Sequence, residues 1–164
     1  MISNMNKVKK NPNKKTKKLI GWKEWCALPL LNIKEIKAKI DTGADTSALH
    51  AIILSVSEYQ GDKFIRFKVF PHQGDRYAPK ICKAPLVAYR FVMSSNGQRE
   101  KRYVIKTAIT VGKHSFDTEI TLTDRSPLRF RMLLGRMALR KHFWIDPAKS
   151  HLQGRPLYHH HGGK

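Results

Sequence analysis

Acidic side chains are scarce, with 12 Asp and Glu against 32 Lys and Arg in 164 residues, which leaves a formal charge of +20. Cysteine is scarcer still. Cys26 and Cys82 lie far apart and outside any C-x-x-C unit, so they read as two reduced thiols, not as a disulfide framework or a paired-thiol redox centre. No run of 18 or more apolar residues occurs, which excludes a membrane-spanning helix. The first 22 residues are basic and never reach an apolar stretch of signal-peptide kind, so a cytoplasmic address and no membrane partner are expected.

The catalytic signatures that are missing narrow the chemistry further. There is no H-E-x-x-H, no C-x-x-C pair and no His/carboxylate spacing of a catalytic metal site, so no metal is expected. G-x-x-x-x-G-K-[ST] and G-x-G-x-x-G are absent, which leaves no loop for a nucleotide phosphate. Neither a G-x-S-x-G elbow nor an S-x-x-K pair marks a serine nucleophile. Histidines scattered elsewhere do not by themselves make either cysteine a nucleophile. What remains is a carboxylate.

Hydrophobic residues make up 41% of the chain and charged residues 27%, a balance that supports one globular domain with a real core. Residues 1–18 hold seven lysines, no acid and almost no apolar side chain, and read as a disordered basic arm able to attract nucleic acid non-specifically. The rest still carries 25 basic and 12 acidic groups, a surplus of +13. A domain over residues 19–155 follows, then a flexible tail over 156–164. In that tail His159, His160 and His161 read as a frayed or added end more readily than as a weak metal site.

Period-two alternation and turn residues dominate the domain, giving strands over residues 19–28, 33–40, 63–70, 86–93, 102–111 and 115–122. Asn96-Gly97 is a strong hairpin signal, because both turn positions favour positive φ. A second hairpin turns around Gly112. A short helix is expected over residues 136–142, and a turn after Ser55, where Ser55 and Glu58 fit a capping box. The fold class is all-β and barrel-like.

Asp41-Thr42-Gly43-Ala44 stands directly after a strand that ends at Ile40. Alone, such a triplet is an ordinary turn in which Asp bonds its own backbone. Its setting is more specific: a strand delivers the carboxylate, and small neighbours let backbone approach it closely. About 90 residues later Met132-Leu133-Leu134-Gly135-Arg136 gives an apolar strand that closes on Gly-Arg before a helix.

That order resembles the retropepsin-like aspartic proteases: a D-[TS]-G-A turn, a flap hairpin, a second hairpin, then two apolar residues with G-R before a short helix. The stretches from Lys37 to Ala44 and from Thr46 to Ala51 are similar to the bacterial RimB-type family in particular. Ser94-Ser95-Asn96-Gly97, Arg102-Tyr103-Val104-Ile105, Leu122-Thr123-Asp124-Arg125 and Met132 to Arg136 extend the likeness, which covers roughly residues 20–155. The label ATP-dependent zinc protease that this family often carries fits neither the missing zinc ligands nor the missing phosphate loop.

The resemblance implies a retropepsin-like closed barrel of short strands and hairpins with one short C-terminal helix. It implies an endopeptidase in which Asp41 is catalytic. Thr42, Gly43, Ala44, Asp45, Gly135 and Arg136 would support the active site, and Ser95, Asn96 and Gly97 would form the flap that closes on substrate. Aspartic proteolysis needs two carboxylates that share a proton, and the chain has one D-T-G, so a homodimer with two Asp41 side chains on its twofold axis is implied. Thr42 would then hydrogen-bond across the dimer.

Asp45 and Arg136 occupy the places of a retroviral Asp–Arg support pair, although bacterial members more commonly carry a basic residue at Asp45. A surface ion pair worth about 0–1 kcal/mol is the alternative. Through the family's association with glutamate-adding ligases, the implied substrate is an acidic, glutamate-extended protein tail, which a basic cleft would attract. A second reading, from charge alone, is a catalytically silent module that binds RNA or a ribosomal surface through its lysines and arginines.

Overall fold

The computed structural model describes residues 16–72, 79–93, 96–124 and 129–157. Among the described residues the ordered elements are ten strands, one short α-helix and a 3-10 turn at Pro29–Leu31: β1 (Lys18–Ile20), β2 (Lys23–Leu28), β3 (Ile33–Ile40), β4 (Ser47–Tyr59), β5 (Asp62–Val69), β6 (Lys80–Met93), β7 (Arg99–Val111), β8 (His114–Thr123), β9 (Met132–Leu134), α1 (Arg136–Leu139) and β10 (Phe143–Ile145).

Alternation does most of the local work. In β3, Ile36, Ala38 and Ile40 point into the core while Lys37 and Lys39 point out. Ile33 is also buried, three residues before Ile36, because the β2–β3 register slips between Cys26 and Leu28. The extra residue of such a bulge shifts the inward phase by one. Eight strands then close on one another. β2 pairs with β3, β3 runs parallel to β9, β9 lies antiparallel to β4, and β4 runs parallel to β8. β8 pairs with β7, which returns to β2 at Cys26–Val111 and Ala27–Thr110. β5 and β6 bridge β4 and β7 as a second path around the barrel. Closure leaves Ile36, Leu49, Phe67, Ile105, Ile120, Met132 and Leu134 fully or almost fully out of water in one core.

The all-β barrel with one short helix is as expected, and several boundaries differ. The turn expected after Ser55 does not form. Ser55 and Glu58 lie within β4, paired with Arg66 and Lys63 of β5, because a ladder spanning the whole hairpin satisfies more backbone groups than one local cap. Residues 19–28 divide into β1 and β2 at Gly21, where an added Cβ would stand 2.1 Å from the Lys149 carbonyl oxygen. The helix stops at Leu139, three residues short of expectation.

The chain ends of the domain are more firmly tied than the arm and tail boundaries suggested. Lys18 belongs to β1, parallel to β10, and the Leu157 N–H donates to the Gly112 carbonyl at 3.0 Å. Fully buried Glu24 links the two ends of the domain, accepting from Gly21 and Leu152 N–H groups at 2.8 Å each and from Gln153 N–H at 3.3 Å. Residues 1–15 of the arm and the three tail histidines lie outside the described residues.

Candidate active site

The Asp41 turn is built by two strands distant in sequence. The parallel pairing of β3 with β9 continues one step past Ile40, where the Asp41 N–H donates to the Leu134 carbonyl at 2.9 Å. Asp41 Oδ1 then accepts from the Gly43 N–H at 3.0 Å, and the Asp41 carbonyl from the Ala44 N–H at 3.3 Å. This is the local Asp turn the sequence suggested. It fixes the carboxylate, half-buried, beside exposed Thr42 and Gly43.

The Gly-Arg segment locks that loop from the other side. Arg136 and Met137 N–H groups donate to the Ala44 and Asp45 carbonyls at 2.7 and 3.0 Å, and the Gly135 N–H donates to Ser47 Oγ at 3.1 Å. Gly135 is needed for the approach, since a Cβ there would meet Thr46 carbonyl carbon and oxygen at 2.5 and 2.6 Å. The Arg136 guanidinium clasps the turn, Nη1 donating to the Thr42 carbonyl at 2.7 Å and Nη2 to Asp45 Oδ1. Asp45 and Arg136 therefore do meet. With 78% and 51% of their side chains exposed in the single chain, the ion pair itself contributes only about 0–1 kcal/mol, while the bond to Thr42 makes Arg136 a brace on the Asp41 turn.

Two clefts share Asp41, Ala48 and Leu133 as a common wall. One, of about 370 Å³, is lined also by Trp22, Lys39, His50, Arg129 and Arg131. The other, of about 660 Å³, runs from Gly43–Thr46 to residues of the β6–β7 hairpin, among them Arg90, Phe91, Met93 and Arg102. Asn96 and Gly97 stand in the turn of that hairpin, with Gly97 at φ +78°. Ser95 lies outside the described residues. The hairpin thus overhangs the cleft that Asp41 opens into.

Sequence reasoning missed Arg90 as a cleft residue and quoted Arg102 and His50 only as parts of motifs. No local signal marks them, because β6, β7 and β4 bring them to Asp41 only through barrel closure.

His50 is buried, stacked on Phe70 with ring centroids 6.4 Å apart, and its Nδ1 lies 3.9 Å from Asp124 Oδ1. Burial, reinforced by Arg131, holds its pKa below the ordinary 6.5, with Asp124 and a backbone hydrogen bond at Thr123 opposing. The unfolded chain therefore takes up the His50 proton first. The associated stability is present above about pH 6.5 and is lost as pH falls from there towards the lower folded value. Urea unfolding of wild type and His50→Gln at pH 7, 6 and 5 should show a shallower loss in the variant. The remaining loss includes His151, which burial and Lys23 shift the same way. Identical pH slopes in the two proteins would remove His50 from the account.

Both cysteines are free and buried. Burial drives the Cys26 thiol far up and the Cys82 thiol up to about 11, so neither supplies a thiolate at neutral pH. Among the described residues no three His, Cys, Asp or Glu side chains are grouped as zinc ligands would be. No helix among them is long and apolar enough to cross a membrane.

Comparison with known proteins gives three findings. The model of the RimB-like family, described as "Retropepsin-like aspartic endopeptidase RimB", matches residues 19–156. Proteins of Shewanella halifaxensis and Desulfotalea psychrophila, each named "Probable alpha-L-glutamate ligase", are 40% and 41% identical over 84% and 80% of this chain. The chain spans only 30% and 28% of their lengths. The crystal structure of Lpg0085, a Legionella pneumophila protein of unknown function, superposes with a TM-score of 0.71 at 25% identity, over 84% of this chain and 99% of that one.

Proposed function

Because this chain belongs to the RimB-like family of retropepsin-like aspartic endopeptidases, we propose that it is a homodimeric peptidase that hydrolyses peptide bonds in acidic, glutamate-rich protein tails through paired Asp41 carboxylates. One observation carries the reading. A single Asp-Thr-Gly turn, clamped by the Gly-Arg segment, presents one half-buried carboxylate at the meeting of two clefts. Half of an acid–base pair stands ready, and the sequence holds no second copy of the turn.

A second copy of the chain supplies the other half. Two carboxylates at contact distance cannot both ionise and so share one proton. The ionised one takes a proton from water as the oxygen attacks the peptide carbonyl carbon, and the protonated one donates to the carbonyl oxygen. Collapse of the tetrahedral intermediate then returns a proton to the leaving amine. Thr42 would bond across the twofold axis, Gly43 would offer backbone to the peptide, and Asn96 with Gly97 would close over it. This route uses no metal or nucleotide.

Charge supports the acidic substrate. Lys39, Arg129 and Arg131 line one cleft, and Arg90 and Arg102 the other. A basic, partly desolvated channel focuses an anionic chain. The names of the longer relatives add weight, since a segment similar to this chain is part of proteins named as glutamate ligases. The arm's lysines would add non-specific attraction to nucleic acid.

Incubation of the full chain with a glutamate-extended peptide, followed by mass spectrometry, tests the reading. Shortened peptides are expected, with specific activity rising with protein concentration until the dimer is saturated. Intact peptide at every protein concentration would overturn it in favour of a silent basic module. In that case affinity for RNA should fall steeply with salt.

A further inference from the structure

The β6–β7 hairpin contains an electrostatic conflict. Arg90 and Arg102 are directly opposed across the antiparallel ladder, and both line the cleft that Asp41 shares. Directly opposed like charges destabilise a strand pair, and Arg102 is only 8% exposed, which adds the cost of removing a guanidinium from water.

The neighbouring acids answer this charge only in part. Arg90 Nη2 pairs with Glu119 of β8, and Arg102 Nη2 donates to Glu100 Oε2 at a long 3.3 Å. The Glu100 carboxylate is itself half-exposed. Arg102 Nε, buried, has no hydrogen-bond partner among the described residues. A guanidinium carries five N–H donors in a planar fork suited to a carboxylate. A buried guanidinium with an unmatched Nε–H, beside a second guanidinium, has donors in the arrangement that a carboxylate accepts from.

We propose that Arg102, assisted by Arg90, is the specificity-determining residue of the cleft, binding the side-chain carboxylate of a substrate glutamate close to the scissile bond. The inference rests on the peptidase reading and adds to it the atoms that recognise the acid. A peptide side chain fits better than nucleic-acid phosphate because Ala48 and Leu133 line the same cleft beside Asp41. Their apolar surface suits the methylene stem of glutamate, whereas a phosphate backbone offers nothing to bury there.

The test is binding of a fluorescein-labelled hexaglutamate peptide, by anisotropy, to the full chain carrying Asp41→Asn so that the probe is not consumed. Adding Arg102→Gln should weaken binding by about tenfold or more, and adding Arg90→Gln by a smaller factor. Lys113→Gln removes the same unit charge from the turn between β7 and β8, at the opposite end of β7 from Arg102, and should weaken binding less than about twofold. Equal losses for Arg102→Gln and Lys113→Gln would overturn the proposal, as would an Arg102 requirement for oligouridylate binding but not for hexaglutamate.

If Arg102→Gln fails to fold by circular dichroism, Arg90→Gln and a glutamine-for-glutamate peptide decide the matter. The neutral peptide should bind weakly and be indifferent to Arg90→Gln, and equal sensitivity of both peptides would sink the site. Arg102-dependent binding without any cleavage would reject the peptidase reading and keep the site. Cleavage whose preference for glutamate over glutamine is unchanged in Arg102→Gln would do the reverse.

Discussion

Asp41→Asn is expected to lower kcat/KM for a glutamate-extended peptide by about a thousandfold or more, since it removes from each dimer the groups that would activate water and protonate the carbonyl. Its fold should survive. The amide oxygen can still accept the Gly43 N–H that Asp41 Oδ1 accepts at 3.0 Å, and the backbone bond from Asp41 to Leu134 is untouched. Stability should therefore stay within about 1 kcal/mol of wild type. Mixing makes the test sharper. If each copy gives one carboxylate to a shared site, equal amounts of wild type and variant, allowed to exchange subunits, should retain about a quarter of the wild-type activity. Undiminished cleavage by Asp41→Asn would end the proposed mechanism, and half-activity in the mixture would place a complete site within each chain.

Gly135→Ala is expected to disrupt the structure of the site itself. The new Cβ would lie 2.5 Å from the Thr46 carbonyl carbon, 2.6 Å from its oxygen and 2.9 Å from the Ala44 oxygen. All three are backbone atoms, so no side chain can swing aside. Either the Asp41 loop moves away from β9, breaking the Arg136–Ala44 and Gly135–Ser47 bonds, or β9 leaves its place between β3 and β4. Overpacking typically costs about 1–3 kcal/mol, and against three backbone atoms the upper part of that range is expected. Urea unfolding should show that loss, and peptide cleavage should fall with it because the Asp41 carboxylate is set by the same loop. Wild-type stability together with wild-type cleavage would mean that the contact is looser than its geometry indicates.

The parts of the site that were legible beforehand are those whose physics is local. Asp41-Thr42-Gly43-Ala44 declares a turn because a short carboxylate side chain can bond an N–H two residues on, and Oδ1 does so at Gly43. Asn96-Gly97 declares a hairpin through positive φ, and Gly97 has it. Asp45 and Arg136 could be paired in advance only through the family resemblance, because no local rule joins residues 91 positions apart. Ser55 and Glu58 show the opposite case, in which a valid local signal for a cap is overruled by the β4–β5 ladder. Arg90 and Arg102 were invisible as a pair, since β-strand alternation says which face a residue takes and not what it will face.

By itself, the sequence determined the strand-rich character, the inward faces of elements such as β3, the turn that holds Asp41 and the excess of positive charge. Each follows from side-chain period, turn chemistry or simple count, all properties of a few neighbouring residues. Only the tertiary structure decided that β9 threads between β3 and β4, that Gly135 must be small, and that the charge converges on two clefts sharing Asp41. Those depend on closing the barrel, which fixes distances between residues that no local interaction relates. The basic excess, diffuse along the chain, becomes a directed field only when that closure brings the Arg90–Arg102 pair of the β6–β7 hairpin to the cleft that Asp41 shares.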